Sequence, residues 1–275
     1  SGLLLSAAFP NIDQAWTAWF ALVPLLAAVQ GRTWKQGAKI GFVAGIVHYL
    51  TLIYWVAYTM RTYGYLPWPV CIAILLLFAA VLSLYPAIFC GLIAGLRLRP
   101  TAALIFYPVL WVTLEYGRAT LLTGFPWAFL GHSQYRSLHI IQISDILGVY
   151  GVSGLLVTVN TALYFVYRAL RKRGLQRPAV SPGFAAAGVI VAAALTGATW
   201  MYGTVRIAEV DDWARTARTM TTAVVQGNIP QAVKWDPLFQ RSTVNKYLQL
   251  SRTALAENPE LIVWPETALP FYFGR

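Results

Sequence analysis

Residues 68–96 read Trp-Pro-Val-Cys-Ile-Ala-Ile-Leu-Leu-Leu-Phe-Ala-Ala-Val-Leu-Ser-Leu-Tyr-Pro-Ala-Ile-Phe-Cys-Gly-Leu-Ile-Ala-Gly-Leu, without one charged side chain. About 20 apolar residues suffice to cross a hydrocarbon layer of ~30 Å as a helix. This run exceeds that length, so it reads as a membrane span that tilts or extends past the bilayer. Pro86 and Gly91 are its expected kink points, with neighbouring helices satisfying the freed backbone groups. Working outward, further apolar stretches lie near 14–30, 37–60, 101–117, 145–167 and 183–203. With a partial run at 1–10 they make about seven spans in a transmembrane helical domain over 1–203. Residues 1–10 lack the basic segment of a signal peptide and read as the tail of a truncated first helix. Composition agrees: the 275 residues are 58% hydrophobic and 11% charged, against about 25% charged in soluble domains. Mean hydropathy is +0.58.

The net charge of +11 raises nucleic acid as a partner, but the placement of the charge argues against it. Arg32, Lys35 and Lys39, then Arg97 and Arg99, then Arg168, Arg171, Lys172, Arg173 and Arg177 cluster in three short loops. The intervening loops hold only Arg61, Arg118 and Arg136. Basic loops stay in the cytoplasm, so the first set is cytoplasmic and the segment after Tyr202 projects to the opposite face. Contact with anionic lipid headgroups is enough to explain the basic excess. Neither a soluble basic domain nor a nucleic-acid-binding motif is present. Cys71 and Cys90 would lie about 28 Å apart along one helix. That is beyond the ~7 Å a disulfide allows, so they read as small apolar core residues.

After Tyr202 the pattern changes. Residues 204–220 are polar and read as a linker. Thr222–Gln226 reads as a strand closed by Gly227-Asn228. Asp236-Pro237 reads as an N-cap with Pro at the first helical position. Helical spacing through Val244, Tyr247, Leu248 and Leu255 stops at Asn258-Pro259. Leu261–Trp264 is a second strand, delivering Pro265-Glu266 onto a turn. Strand–helix–strand is the unit of a parallel sheet, and ligands bind at the carboxyl ends of such strands. Glu266 sits there, where a carboxylate can act as a general base; a solvated loop glutamate is the plain alternative. One such unit cannot cover both sheet faces, so residues 221–275 are expected to be the N-terminal part of a larger α/β domain.

Two motifs sharpen this reading: Val225-Gln226-Gly227-Asn228-Ile229-Pro230 with Lys234-Trp235-Asp236, and Ile262-Val263-Trp264-Pro265-Glu266. With Glu115-Tyr116-Gly117-Arg118 and Leu122-Thr123-Gly124-Phe125-Pro126-Trp127 in the same order, the chain resembles the apolipoprotein N-acyltransferase family of the bacterial inner membrane. The resemblance implies a multi-pass membrane domain followed by a nitrilase-like α/β/β/α domain on the periplasmic face. It implies a Glu–Lys–Cys triad with Glu266 as general base. The family's lysine and cysteine follow that glutamate and have no counterpart here, so this chain is expected to be inactive alone. Lys234 precedes Glu266, and Cys71 and Cys90 are intramembrane, so none of them takes those places.

The implied partners are a phospholipid acyl donor, a diacylglyceryl apolipoprotein acceptor and membrane lipids; no cofactor, metal or nucleic acid is expected. The implied reaction passes the acyl chain through a cysteine thioester to the acceptor's N-terminal amine. Trp235, Trp127 and Phe125 are the implied substrate contacts. Packing under the helix that begins at Asp236-Pro237 competes for Trp235. Interfacial anchoring competes for Phe125 and Trp127, with Tyr135 and Arg136 beside them. Glu115 and Arg118, spaced i, i+3, read as a structural ion pair at a helix end. Asp145 reads as a helix cap or cavity residue, and His48 as a neutral hydrogen-bonded histidine in an apolar span. A non-catalytic membrane scaffold with a periplasmic stub is the alternative from another class. A transporter is disfavoured by the few buried charges and the lack of paired broken helices.

Overall fold

The computed structural model of the protein describes residues 1–171 and 180–271. Lys172, Arg173 and Arg177 of the third basic loop, and residues 272–275, lie outside the described residues. The chain divides into two compact units, one over Ser1–Val210 and one beginning at Asp211.

The first unit is helical. In chain order it holds α1 (Gly2–Ala7), a 3-10 turn at Ala15–Trp19, α2 (Val23–Val29), α3 (Trp34–Leu52), α4 (Trp55–Tyr63), α5 (Trp68–Leu96) and α6 (Pro100–Thr120). Then come 3-10 turns at Leu121–Thr123 and Leu130–Gln134, α7 (Leu138–Ile141), α8 (Ser144–Leu170) and α9 (Pro182–Thr216), of which the part up to Val210 belongs to this unit. Among the described residues three helices, α5, α8 and α9, are long and apolar enough to cross a membrane, and α3 with α4 makes a fourth if that pair, bent by 48°, is one span. This is fewer than about seven. The run at 1–10 forms a six-residue helix. The run at 14–30 is split between a 3-10 turn and the seven-residue α2; at 1.5 Å per residue neither piece approaches ~30 Å.

That broken segment persists inside an apolar unit because side chains take over its backbone bonds. The buried Asn160 of α8 accepts from Leu22 N–H at 2.8 Å and donates to the Ala18 carbonyl at 2.8 Å. Gln134 donates to the Ala15 carbonyl at 2.9 Å and accepts from Trp19 Nε1 at 3.1 Å. Around these bonds lies the main core, with Leu5, Leu22, Leu26, Phe89, Leu156 and Phe165 buried.

Helices α3 and α5 approach closely along Gly37, Gly41 and Gly45, which face Ala94, Cys90, Pro86 and Ser83. Small residues four apart let two backbones meet where lipid supplies no hydrophobic drive. Helix α5 runs unbroken through Pro86; its ring and carbonyl pack against that glycine face. Cys71 and Cys90 are free and buried.

Residues 204–216, expected as linker, are instead helical, because α9 continues to Thr216. Polarity does not end a helix: this stretch contains no Gly or Pro, and its Arg, Ala and Glu residues favour helix.

The second unit pairs β1 (Thr222–Val224) with β2 (Leu261–Val263) in parallel, Thr222 opposite Leu261 and Val224 opposite Val263. Between them lie α10 (Gln231–Lys234), a 3-10 turn at Pro237–Phe239 and α11 (Gln240–Ala254). Asp236 caps that turn by accepting from Leu238 N–H at 2.9 Å. Asn258, left-handed at φ 48°, ends the helical stretch. Val225, Tyr247 and Ala268 form the buried core, with Ile229, Ile262 and Trp264 packed on it.

A Cβ on Gly41 would lie 2.2 Å from the Pro86 carbonyl oxygen. Gly41→Ala is therefore expected to destabilise the membrane unit by about 1–3 kcal/mol. Gly197, with nothing within 4 Å of an added Cβ, is the control: Gly197→Ala should be neutral or slightly stabilising. Thermal unfolding of both variants in detergent checks the contrast.

Candidate functional site

Three places gather the residues singled out in the sequence. In the second unit, Glu266 is exposed on the turn that follows β2. Ala268 N–H donates to the Pro265 carbonyl at 3.2 Å to close the turn, and Thr267 takes a left-handed φ of 55°. Lys234, at the end of α10, donates from Nζ to Thr267 Oγ1 at 2.6 Å. The segment after β1 is thereby tied to the Glu266 turn. Beneath it, the Trp264 ring lies 5.2 Å from Tyr247 and its Nε1 donates to Ser251 Oγ at 2.8 Å. These contacts fix the base of a turn whose carboxylate stays open to solvent.

Trp235 is 54% exposed, with the Lys234 ammonium 5.9 Å above its ring.

In the first unit, Leu122, Thr123 and Gly124 all have positive φ. Gly124 has no substitute there: a Cβ would stand 1.8 Å from the Ala119 carbonyl oxygen. The sharp turn presents Phe125 and Trp127, whose rings stack at 5.9 Å and 19°. Phe125 is half-buried and meets Phe78 edge-on at 4.8 Å. Trp127 is exposed.

The third place is internal. Glu115 and Arg118 of α6 are both buried, so Arg118 is not a charge in an exposed loop. They also make no direct ion pair, because each side chain is drawn to other partners. Glu115 Oε1 accepts from Trp111 Nε1 at 2.9 Å and from Leu130 N–H at 2.7 Å. Arg118 donates to the Tyr49 hydroxyl and, at 3.2 Å, to the Ala128 carbonyl. Its guanidinium carbon lies 4.9 Å from the Phe129 ring and 5.6 Å from Tyr49, a cation between two π-faces. Arg118's own carbonyl accepts from Phe125 N–H at 2.7 Å. The loop carrying Phe125 and Trp127 is thus bonded at both ends to one stretch of α6.

Nearby, burial, and then the Arg118 charge, hold the His132 imidazole below its ordinary pKa. It is neutral at pH 7 and accepts the Phe129 N–H through Nδ1 at 3.1 Å.

The remaining residues have structural partners. His48 Nδ1 shares a 3.0 Å hydrogen bond with Ser6 Oγ. Asp145, in the first turn of α8, accepts from the Tyr202 hydroxyl at 2.8 Å and from Arg206 Nε at 3.0 Å. It ties α9 to α8 rather than capping its own helix. Tyr135 and Arg136 both bind Asp13, the ion pair at 2.7 Å. Among the described residues no cluster of three or more His, Cys, Asp or Glu side chains could hold a metal ion. The sequence reading passed over Tyr49, Gln134, Ser153 and Asn160; polar side chains within or beside apolar runs were the available signal.

A sequence model described as the apolipoprotein N-acyltransferase N-terminal domain matches residues 1–162. The apolipoprotein N-acyltransferase of Geobacter metallireducens is 42% identical over 274 residues, covering 99% of this chain and 51% of that protein. That of Photobacterium profundum is 31% identical over 276 residues, covering 98% of this chain and 48% of that protein. That of Methylococcus capsulatus is 30% identical over 282 residues, covering 100% of this chain and 51% of that protein. The chain thus spans about half the length of these curated relatives.

Tyr247 holds the base of the Glu266 turn. Tyr247→Ala should cost about 3 kcal/mol and speed amide exchange across β1 and β2 by on the order of 100-fold. Hydrogen-exchange mass spectrometry of those segments checks this.

Proposed function

The chain belongs to the apolipoprotein N-acyltransferase family, and from that premise we propose that its protein moves a fatty acyl chain from a phospholipid to an apolipoprotein. The acceptor is the N-terminal amine of a diacylglyceryl-cysteine, and the chain passes through a cysteine thioester. The unit beginning at Asp211 is, on this reading, the start of a nitrilase-like α/β/β/α domain. Its parallel strand–helix–strand arrangement supports that assignment.

The observation that carries the proposal is Glu266 on a braced, solvent-open turn at the carboxyl end of β2. Ligands of open α/β sheets bind at that end. Glu266 takes the proton of a cysteine thiol, whose ordinary pKa of about 8.5 leaves little thiolate at neutral pH. The thiolate attacks the acyl ester carbonyl, the C–O bond breaks, and a lysophospholipid leaves with the proton. The acceptor amine then attacks the thioester, the C–S bond breaks, and Glu266 takes the amine proton. A lysine supplies positive charge to each oxyanion. The cysteine and lysine follow the glutamate in the family; residues 267–275 of this chain contain neither.

Trp235 and the stacked Phe125–Trp127 pair are the proposed acyl or lipid contacts, supported by the exposed indoles. The bacterial inner membrane is the proposed location, with the second unit on its periplasmic face. The support is the gathering of Arg32, Lys35, Lys39, Arg97 and Arg99 in the loops and adjoining helix start of the other face.

In the full-length protein, Glu266→Gln is expected to lower acyl transfer by about 10²–10⁴-fold with unchanged thermal unfolding. Near-normal turnover in that variant sinks the assigned role. Trp235→Ala should raise KM for the lipid substrate more than it lowers kcat, read from initial rates in mixed micelles.

A further inference from the structure

Glu266 is exposed, so its direction is set by the backbone of its turn. That turn is held at several points. Ala268 is buried against the core of the second unit. Trp264 Nε1 donates to Ser251 Oγ at 2.8 Å, and Gln240 Nε2 donates to the Pro270 carbonyl at 3.2 Å. Between these anchors Thr267 takes φ 55°. A left-handed backbone is an outlier for a β-branched residue, whereas glycine adopts it freely. Such strain persists only where the surroundings over-determine it, and it collects at functional sites. What threonine offers there and glycine lacks is a hydroxyl, and Lys234 Nζ donates to that hydroxyl at 2.6 Å. The same ammonium lies 5.9 Å from the centre of the Trp235 ring. One cation thus touches both the turn of Glu266 and the indole beside it in the chain.

We propose that Lys234 is a positioning residue for Glu266: its hydrogen bond to Thr267 keeps the strained turn in the conformation that presents the carboxylate to the reacting atoms. A hydrogen bond from a charged donor is stronger than a neutral one, which suits a strained position open to solvent. The segment that carries Lys234 is itself fixed. Ile229 packs on the core of the second unit, and Asp236 accepts from Leu238 N–H at 2.9 Å. A brace of this kind matters for a general base because a misplacement of about 1 Å costs on the order of 10²-fold in rate. This role rests on the reading of Glu266 as the base, and it makes Lys234 no member of the Glu–Lys–Cys triad. The competing role for the same ammonium is capture of an anionic lipid headgroup, which acts on KM rather than on kcat.

The test measures acyl transfer by the full-length protein in mixed micelles of phospholipid and detergent, with a diacylglyceryl lipopeptide as acceptor. Lys234→Met and the isosteric Thr267→Val should each lower kcat by about 10- to 100-fold, with KM for the phospholipid and thermal unfolding unchanged. Thr267→Ser, which keeps the acceptor oxygen, should retain activity. The double variant with Lys234→Met and Thr267→Val should lose no more than either single one, because both remove one interaction. In a Glu266→Gln background, Lys234→Met should lower the residual rate no further. A normal kcat for Lys234→Met beside a disabled Glu266→Gln overturns the brace and leaves the base standing. A raised KM with kcat kept, or a further loss in the Glu266→Gln background, overturns it in favour of a role independent of that carboxylate. Normal turnover by Glu266→Gln alone removes the base, and the brace falls with it.

Discussion

Two ionisable side chains on one helix, both removed from bulk water, set the terms for the membrane unit. Arg118 and Glu115 are buried three residues apart on α6. A buried ion is tolerated only when its hydrogen-bonding capacity is met locally. The structure meets most of it with groups from α3, from α6 itself and from the loop that follows. Tyr49 takes one N–H of the guanidinium, and Phe129 and Tyr49 give it π-faces. The carboxylate collects Trp111 Nε1 and Leu130 N–H. Solving the desolvation of these two side chains thereby fixes the path of residues 125–130. The Phe125–Trp127 pair inherits its place from that solution.

The same rule explains the irregular backbone near the chain's start. Residues 15–29 do not form one helix, yet they lie against the main core. Asn160 and Gln134 supply donors and acceptors where the helix ladder lapses. Elsewhere the unit relies on close contact rather than polar bonds, as where Gly41 meets the Pro86 carbonyl. Polar plugs and a glycine face are complementary means of packing helices in a medium that gives no hydrophobic drive.

The strand–helix–strand order of the second unit was legible because its signals are local. Asp236-Pro237, Asn258-Pro259 and the β-branched run at 261–263 act over a few residues each, and the structure keeps all three. The turn that places Glu266 was legible for the same reason. The brace between Lys234 and Thr267 was not, since it joins residues 33 positions apart. The span count was the least legible feature. Hydropathy registers that 14–30 is apolar but not that its backbone is broken, and it reads 204–216 as a polar linker where α9 continues.

By itself, the sequence determined a helical membrane protein, the order of its elements, the turn that carries Glu266 and the family to which the chain belongs. These follow from apolar run length, capping chemistry and short motifs, all of which act between near neighbours. Tertiary structure alone decided which polar residues are buried and with whom they pair. It turned an i, i+3 charge pair into two separate networks, and it assigned Asn160 and Gln134 to a broken helix. The physical reason is that desolvation depends on what surrounds a group in space. A carboxylate three residues from a guanidinium carries the same letters whether it faces water, its neighbour or the interior.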